Sequence, residues 1–167
     1  MSHRILVIVL LAGLGLPALC QQPQTTPPTK VPDYILYHEF FFRVKWLSDL
    51  ADKYSSRGKP ASADYLRSLL RNQAGLTAEE DAALKSIAAD WRAGDLTIVN
   101  AGRALVKAGA AANDPRLPAL GSQRQQWVTN HVSQIRDAMG PARFPQLDSF
   151  VRASSTAKRG PAAPAPK

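Results

Sequence analysis

Residues 33–56 read DYILYHEFFFRVKWLSDLADKYSS and hold seven of the twelve aromatic side chains of the chain. Their apolar positions recur with the period of an α-helix rather than that of a strand. The main apolar stripe of this helix consists of Tyr37, Phe40, Val44, Leu47, Ala51 and Tyr54. Asp33 is a suitable N-cap, and Gly58 follows the predicted end of the helix. The segment therefore predicts a long helix around which an all-α fold is built.

The three consecutive phenylalanines of this segment cannot all face one core, because each residue of a helix turns the chain by about 100°. Phe42 points almost opposite to Phe40 and shares a second apolar stripe with Ile35 and Trp46. The commoner arrangement for such a helix is a central position with neighbours on both sides. The alternative is an exposed patch that contacts a partner, a client chain or a second copy, with Ile35, Phe42 and Trp46 as its partner-binding residues. Charged residues suited to a polar rim lie beside this stripe: Lys45, Asp49 and Lys53.

The helical period continues through the middle of the chain. A second helix is predicted over residues 62–74, ended by Gly75. Its inward-facing residues are Tyr65, Leu66, Leu69 and Leu70. Thr77 and Glu80 then match a capping box, which begins a long third helix. We expect this third helix to kink or split near Gly94-Asp95.

Two more helices complete the prediction. A fourth helix over residues 122–139 ends at Gly140, and a last short helix starts near Pro145. The apolar residues of the third helix are Leu84, Ile87, Ala88, Trp91, Ile98, Leu105 and Val106, and those of the fourth are Val128, Val132, Ile135 and Met139. The sequence therefore predicts an all-α bundle of four to five helices, without an internal repeat, over residues 33–152.

The first residues have the features of a secretory signal peptide. Arg4 precedes an unbroken apolar run over residues 5–16, and small residues lead to Cys20. Residues 5–19 are fewer than the roughly 20 apolar residues that a transmembrane helix needs. We expect cleavage after Cys20, with cleavage after Ala18 as the second choice, and export to the periplasm or the extracellular space. The alternative is lipidation of Cys20, which the large Leu19 before it disfavours.

Both flanks of the predicted bundle have the composition of disordered linkers. Residues 21–32 are rich in Pro, Gln and Thr, and residues 153–167 form a basic tail rich in Pro and Ala. Such segments bury too little apolar surface to offset the entropy lost on ordering. One candidate function is therefore a structural envelope protein that its basic tail tethers.

Most of the net positive charge of the chain lies outside residues 31–150, with three basic residues in that tail. The net charge is +8, yet residues 31–150 carry 15 basic and 13 acidic side chains. No run of basic residues interleaved with aromatic residues occurs, as a nucleic-acid groove would require. We therefore expect no nucleic-acid partner. Weak contact of the tail with anionic lipid or wall polymer remains open, and salt would screen it.

The motifs of common enzymes are absent from the sequence. It contains no glycine-rich phosphate loop, no HExxH and no G-x-S-x-G, and Cys20 is its single cysteine. A thiol-based metal module or a disulfide scaffold is thereby excluded. We expect a protein without catalysis and without a cofactor, which acts by binding.

His131, among the apolar residues of the fourth helix, is the main candidate for a different chemistry. Together with His38 and Glu39 it would form a metal site or a small metal-dependent active site, provided that the first and fourth helices touch. The commoner role of such a histidine is a hydrogen-bonded core residue. We keep both interpretations and predict no metal ligand.

The start of the third helix carries a family resemblance. Leu76-Thr77-Ala78-Glu79-Glu80 resembles the LTxxQ helix start of the Spy and CpxP group of periplasmic proteins, with Glu80 where that family has Gln. The likeness covers these five residues in a single copy. It implies an all-helical periplasmic protein, chaperone-like or stress-related, that binds without catalysis. The chain is also similar to uncharacterised exported helical proteins of soil bacteria, which implies nothing about mechanism.

Overall fold

The computed structural model describes residues 31–158, with side chains described up to residue 155. It contains four helices in this range: α1 (Asp33–Ser55), α2 (Pro60–Ala74), α3 (Ala78–Lys107) and α4 (Arg116–Lys158). The predicted all-α bundle is confirmed. The predicted signal peptide, nearly all of the first linker and residues 159–167 lie outside the described residues.

Helix α1 is the centre of the bundle and contacts the three other helices. Its buried face carries Leu36, Tyr37, Phe40, Phe41, Val44, Leu47 and Ala51. The main stripe predicted from the sequence thus faces the core, with Tyr54 only half-buried at its end. Asp33 is not the N-cap, because Pro32 occupies that position. Instead the Asp33 carboxylate accepts a hydrogen bond from Arg152 of α4 at 3.0 Å, which ties the start of α1 to the end of the bundle.

The connection from α2 to α3 follows the sequence signals closely. Gly75 adopts a left-handed conformation (φ 63°) that ends α2, which a residue with a side chain rarely adopts. Thr77 and Glu80 form the predicted capping box. Arg143 of α4 donates from Nε to Glu80 Oε1 at 2.8 Å and from its terminal nitrogen to the Gly75 carbonyl at 2.7 Å. A cap that looks local in the sequence is therefore also a contact between helices.

Two residues predicted to face inward are instead exposed. Tyr65 of α2 is 64% exposed, and Val106 near the end of α3 is 61% exposed. Helix α2 buries Ala63 and Leu70 on its core face. Leu70 of the predicted inward face is therefore buried, whereas the ring of Tyr65 lines an open cavity with Leu50 and Tyr54 of α1.

Helix α3 is continuous through Gly94-Asp95, so the expected kink is absent. Gly94 instead allows close packing between α3 and α4. A Cβ atom added at Gly94 would overlap the ring of Trp127 on α4. The indole Nε1 of Trp127 donates to the backbone oxygen of Trp91 at 2.9 Å. Gly94 therefore lets a tryptophan lie directly against the α3 backbone.

The range of α4 holds two helical segments that meet at a kink at Gly140 (φ 72°, ψ 172°), as the predicted end of the fourth helix requires. Pro141 follows at once and cannot continue the hydrogen-bond ladder of the preceding turn. The segment after Gly140 is held by Tyr37, whose hydroxyl donates to Asp148 Oδ1 at 2.9 Å. It continues beyond residue 152, where we placed the end of the bundle, to Lys158. Within residues 31–158, no helix has the length and apolar character needed to cross a membrane.

Candidate binding groove on helix α1

The second apolar stripe of α1 reaches the surface. Phe42 is 47% exposed and Trp46 is 52% exposed. The expectation that neighbours cover this helix on both sides is therefore wrong for these two rings, since no described residue buries them. Ile35 differs from them, because it is half-buried and lines a separate cavity of about 230 Å³ with Tyr34 and Arg124. Of the three predicted partner-binding residues, two share one surface.

Phe42 and Trp46 line an open groove of about 800 Å³, which we call the aromatic groove. Helix α1 forms its floor, and α2 and the end of α4 form its sides. The residues that line it are His38, Glu39, Phe42, Arg43, Trp46, Gln73, Phe150 and Ser154. Its volume lies within the range of about 300–1,000 Å³ that is common for ligand sites. Three aromatic rings with a few polar groups around them suit an apolar ligand that also carries hydrogen-bond acceptors.

Polar contacts fix the sides of the aromatic groove. Arg43 donates to the side-chain oxygen of Gln73 at 2.9 Å and so links α1 to α2. The guanidinium of Arg92 lies 5.2 Å from the centre of the Phe42 ring, within cation–π range. Lys45 forms an ion pair with Asp49 next to Trp46. Two of the three charged residues predicted for the rim are therefore paired with each other.

His38 connects the groove to a buried ion cluster behind it. Asp95 of α3 is fully buried and accepts hydrogen bonds from Arg124 Nε at 2.5 Å and from Arg92 at 3.0 Å. His38 Nε2 contacts Arg124 and lies 3.5 Å from Asp95 Oδ1. The cluster joins α1, α3 and α4 beneath the groove.

The cluster changes the acidity of its members. Burial lowers the pKa of His38, and the positive charge of Arg124 lowers it further. Burial raises the pKa of Asp95, but the hydrogen bond and the charge of Arg124 outweigh it, so the net pKa is lowered. The cluster therefore favours a neutral imidazole beside an ionised carboxylate that two guanidinium groups compensate.

His131 lies in the interior, away from the groove. It is 1% exposed, and its Nδ1 lies 2.8 Å from the Trp127 backbone oxygen while its Nε2 lies 3.0 Å from Asp90 Oδ2. Both ring nitrogens are thus directed at oxygen acceptors. Phe41, Trp91, Trp127 and His131 contact one another, with Phe41 and Trp91 stacked at 5.4 Å. We call these four residues the inner aromatic cluster.

The residues of the predicted metal-dependent alternative do not converge. Glu39 lines the surface groove, His38 faces the Asp95 cluster and His131 belongs to the inner aromatic cluster. Within the part of the chain that the structure describes, no three His, Cys, Asp or Glu side chains are placed to hold a metal ion together. His131 is thus buried and hydrogen-bonded, as expected for a core histidine.

The Asp95 cluster was missed from the sequence, although a signal for it exists. Asp95 falls on the buried stripe of α3, four residues after Trp91 and three before Ile98. An acid at such a position needs cationic partners, because an unpaired buried charge is costly. Arg124 could not be identified as that partner, since the alignment of α4 against α3 is a tertiary property.

The fold and the groove define a class, namely an all-α bundle with an open aromatic groove on its central helix. No protein-family model, no curated protein and no solved structure matches the chain. The resemblance of residues 76–80 to the Spy and CpxP group therefore stays a prediction.

Proposed function

We propose that this chain is an exported, non-catalytic binding protein whose aromatic groove takes apolar side chains of a partner polypeptide. The observation that carries the proposal is the joint exposure of Phe42 and Trp46 in one groove with Phe150. Large apolar side chains that share an exposed surface are typical of contact sites. The proposed export rests on the signal-peptide features of residues 1–20.

The chemistry of the groove favours a polypeptide over a purely apolar ligand. Its rings offer anchors, and covering each half-exposed ring contributes on the order of 2 kcal/mol. Its edges offer donors to backbone carbonyls, namely the Gln73 amide and the Arg43 guanidinium. Alternating apolar and carbonyl groups are what an extended polypeptide presents.

The test compares two exposed aromatic surfaces of the same bundle. The double variant Phe42→Ser/Trp46→Ser removes the groove anchors, while Tyr65→Ser removes an exposed ring on α2 outside this groove. The probe is a permanently unfolded polypeptide, reduced and carboxymethylated lactalbumin, titrated by fluorescence anisotropy. We expect the groove variant to lose at least about tenfold in affinity and the Tyr65 variant to retain it. Equal loss in both variants, or no binding by the wild type, contradicts the proposal.

The solution mass of the same proteins supplies the control for fold and assembly. Light scattering and circular dichroism of residues 21–167 should show a folded particle of unchanged mass in the wild type and the double variant. A wild-type dimer that becomes a folded monomer in the variant would place the groove in a self-interface and contradict a separate partner. Loss of helicity in the variant would place Phe42 and Trp46 in the core, against the exposure of their rings.

A further inference from the structure

The separate cavity of about 230 Å³ lies between α1 and the first half of α4, and we call it the α1–α4 cavity. His38 lines it as well as the aromatic groove. Its lining includes Tyr34, Ile35 and His38 of α1 and Arg124, Gln125 and Val128 of α4. An apolar cavity of about 150 Å³ holds a benzene molecule, so the α1–α4 cavity has room for a small organic ligand.

The ion cluster next to this cavity has an excess of positive charge. Asp95 is the single carboxylate of the cluster, whereas Arg92 and Arg124 each carry a positive charge. The lowered pKa of His38 favours its neutral form, so one of the two positive charges has no counter-charge within the cluster. Among the described residues, no acidic side chain lines the cavity. The charge of the site therefore favours an anionic ligand.

The contacts of Arg124 orient its guanidinium and leave part of it available. Its Nε donates to Asp95 Oδ1 at 2.5 Å, and its Nη2 contacts His38 Nε2. These contacts engage two of the five N–H groups that a guanidinium carries. Nη1 makes no hydrogen bond to a described residue, and the side chain is partly exposed. The Tyr34 hydroxyl and the Gln125 side-chain amide add neutral donors at the same cavity.

We propose that the α1–α4 cavity binds a small organic carboxylate, whose charged group pairs with Arg124 and whose apolar body packs against Tyr34 and Ile35. Arginine is well suited to this role, because its planar fork of donors matches a carboxylate. The exposed ring of Tyr34 and the half-buried side chain of Ile35 offer apolar surface that an inorganic anion would leave uncovered. The cavity is a different site from the aromatic groove, so the inference does not rest on the proposed function.

The experiment titrates the full chain with three probes and follows the backbone amide resonances of residues 121–128 by NMR. Benzoate combines a carboxylate with a ring, acetate keeps only the carboxylate, and benzyl alcohol keeps only the ring. We expect benzoate to bind with a dissociation constant below about 1 mM and at least about tenfold more tightly than either other probe. No binding of benzoate, or equal binding of benzoate and benzyl alcohol, overturns the inference. Equal binding of benzoate and acetate overturns it too, because the apolar body would then contribute nothing.

Two leucine substitutions test whether benzoate occupies this cavity. A Cβ atom added at Gly121, which lines the cavity, meets no atom within 4 Å, so the side chain of Gly121→Leu has room there. Ser122→Leu adds the same side chain at an exposed position that does not line the cavity. We expect benzoate binding to weaken at least about tenfold in Gly121→Leu and to be unchanged in Ser122→Leu. Unchanged binding in Gly121→Leu, or equal loss in both variants, overturns the inference.

A double variant tests the role of Arg124 without leaving a buried carboxylate unpaired. Arg124→Gln combined with Asp95→Asn removes the guanidinium together with the carboxylate that it contacts. We expect the benzoate affinity of the double variant to fall at least about tenfold, to that of benzyl alcohol. Wild-type affinity in a folded double variant overturns the inference. If circular dichroism shows that the double variant is unfolded, the comparison of the three probes and the Gly121→Leu variant decide the question.

Discussion

Phe41 and Phe42 are neighbours in the chain, yet they belong to two different aromatic groups. Phe41 is fully buried and stacks on Trp91 in the inner aromatic cluster, while Phe42 lies half-exposed in the aromatic groove with Trp46. One helical step of about 100° separates the two surroundings. Identical side chains can therefore have different roles: the inner ring stabilises the fold, and the outer ring is available for binding.

The two groups also differ in how their polar atoms are engaged. In the inner cluster Trp127 donates to a backbone oxygen, and both nitrogens of His131 meet oxygen acceptors. In the groove the Arg92 guanidinium lies over Phe42, and Arg43 donates to Gln73. Trp127 and His131 of the inner cluster are thus hydrogen-bonded, whereas the buried Trp91 Nε1 has no hydrogen-bond partner among the described residues. The groove differs in keeping two rings half-exposed, which leaves it capacity for new contacts.

The largest expected effect is a truncation in the inner cluster. Phe41→Ala removes a fully buried ring that contacts Trp91 and His131, and we expect it to lower the free energy of unfolding by about 3–5 kcal/mol. Phe42→Ala, the matched control one residue away, should lower it by only about 1–2 kcal/mol, because about half of this ring is exposed. Urea denaturation followed by circular dichroism measures both. Similar losses of unfolding free energy at the two positions would contradict the distinction between the inner aromatic cluster and the aromatic groove.

A smaller effect is expected where the inner cluster meets the α3 backbone. Gly94→Ala forces a methyl group into the Trp127 ring and should lower the free energy of unfolding by about 1–3 kcal/mol. Gly102→Ala on the same helix is the control, since its Cβ would meet Leu120 at an ordinary 3.7 Å. The control should be neutral or stabilise by up to about 1 kcal/mol, because alanine favours a helix. Thermal unfolding would refute the packing argument if both variants shifted in the same direction.

The smallest expected effect concerns His38, which lies between the two groups. Burial, followed by the charge of Arg124, lowers its pKa below the ordinary 6.5. As the pH falls through the window below 6.5, the unfolded chain binds the proton first, so the free energy of unfolding decreases with decreasing pH. Arg92 and Asp95 of α3 and Arg124 of α4 are the charged groups that face this ring.

The variant His38→Gln removes this titration and keeps an acceptor for Arg124. Between about pH 8 and pH 5, denaturant titrations should show a steeper loss of stability in the wild type than in the variant. Parallel curves would mean that His38 is solvated like a surface histidine and that the ion cluster does not extend to the groove.

Much of the fold could be predicted because its signals are local. The capping box of Thr77 and Glu80, the left-handed Gly75 and the interruption at Gly140 each depend on a few adjacent residues. The errors have tertiary causes. Gly94 has the sequence signature of a helix breaker, but in the structure it lets Trp127 lie against α3. Tyr65 fits the apolar period of α2, yet its ring is 64% exposed.

The sequence by itself determined that the chain is helical, where most helices begin and end, and that α1 carries two apolar stripes. These properties follow from period and capping, which a single helix contains. Only the tertiary structure decided that the second stripe is exposed at Phe42 and Trp46, that Asp95 pairs with Arg124, and that Phe150 shares a groove with those two rings. Those outcomes depend on how separate helices pack side by side, and that packing is set by contacts between residues far apart in the chain.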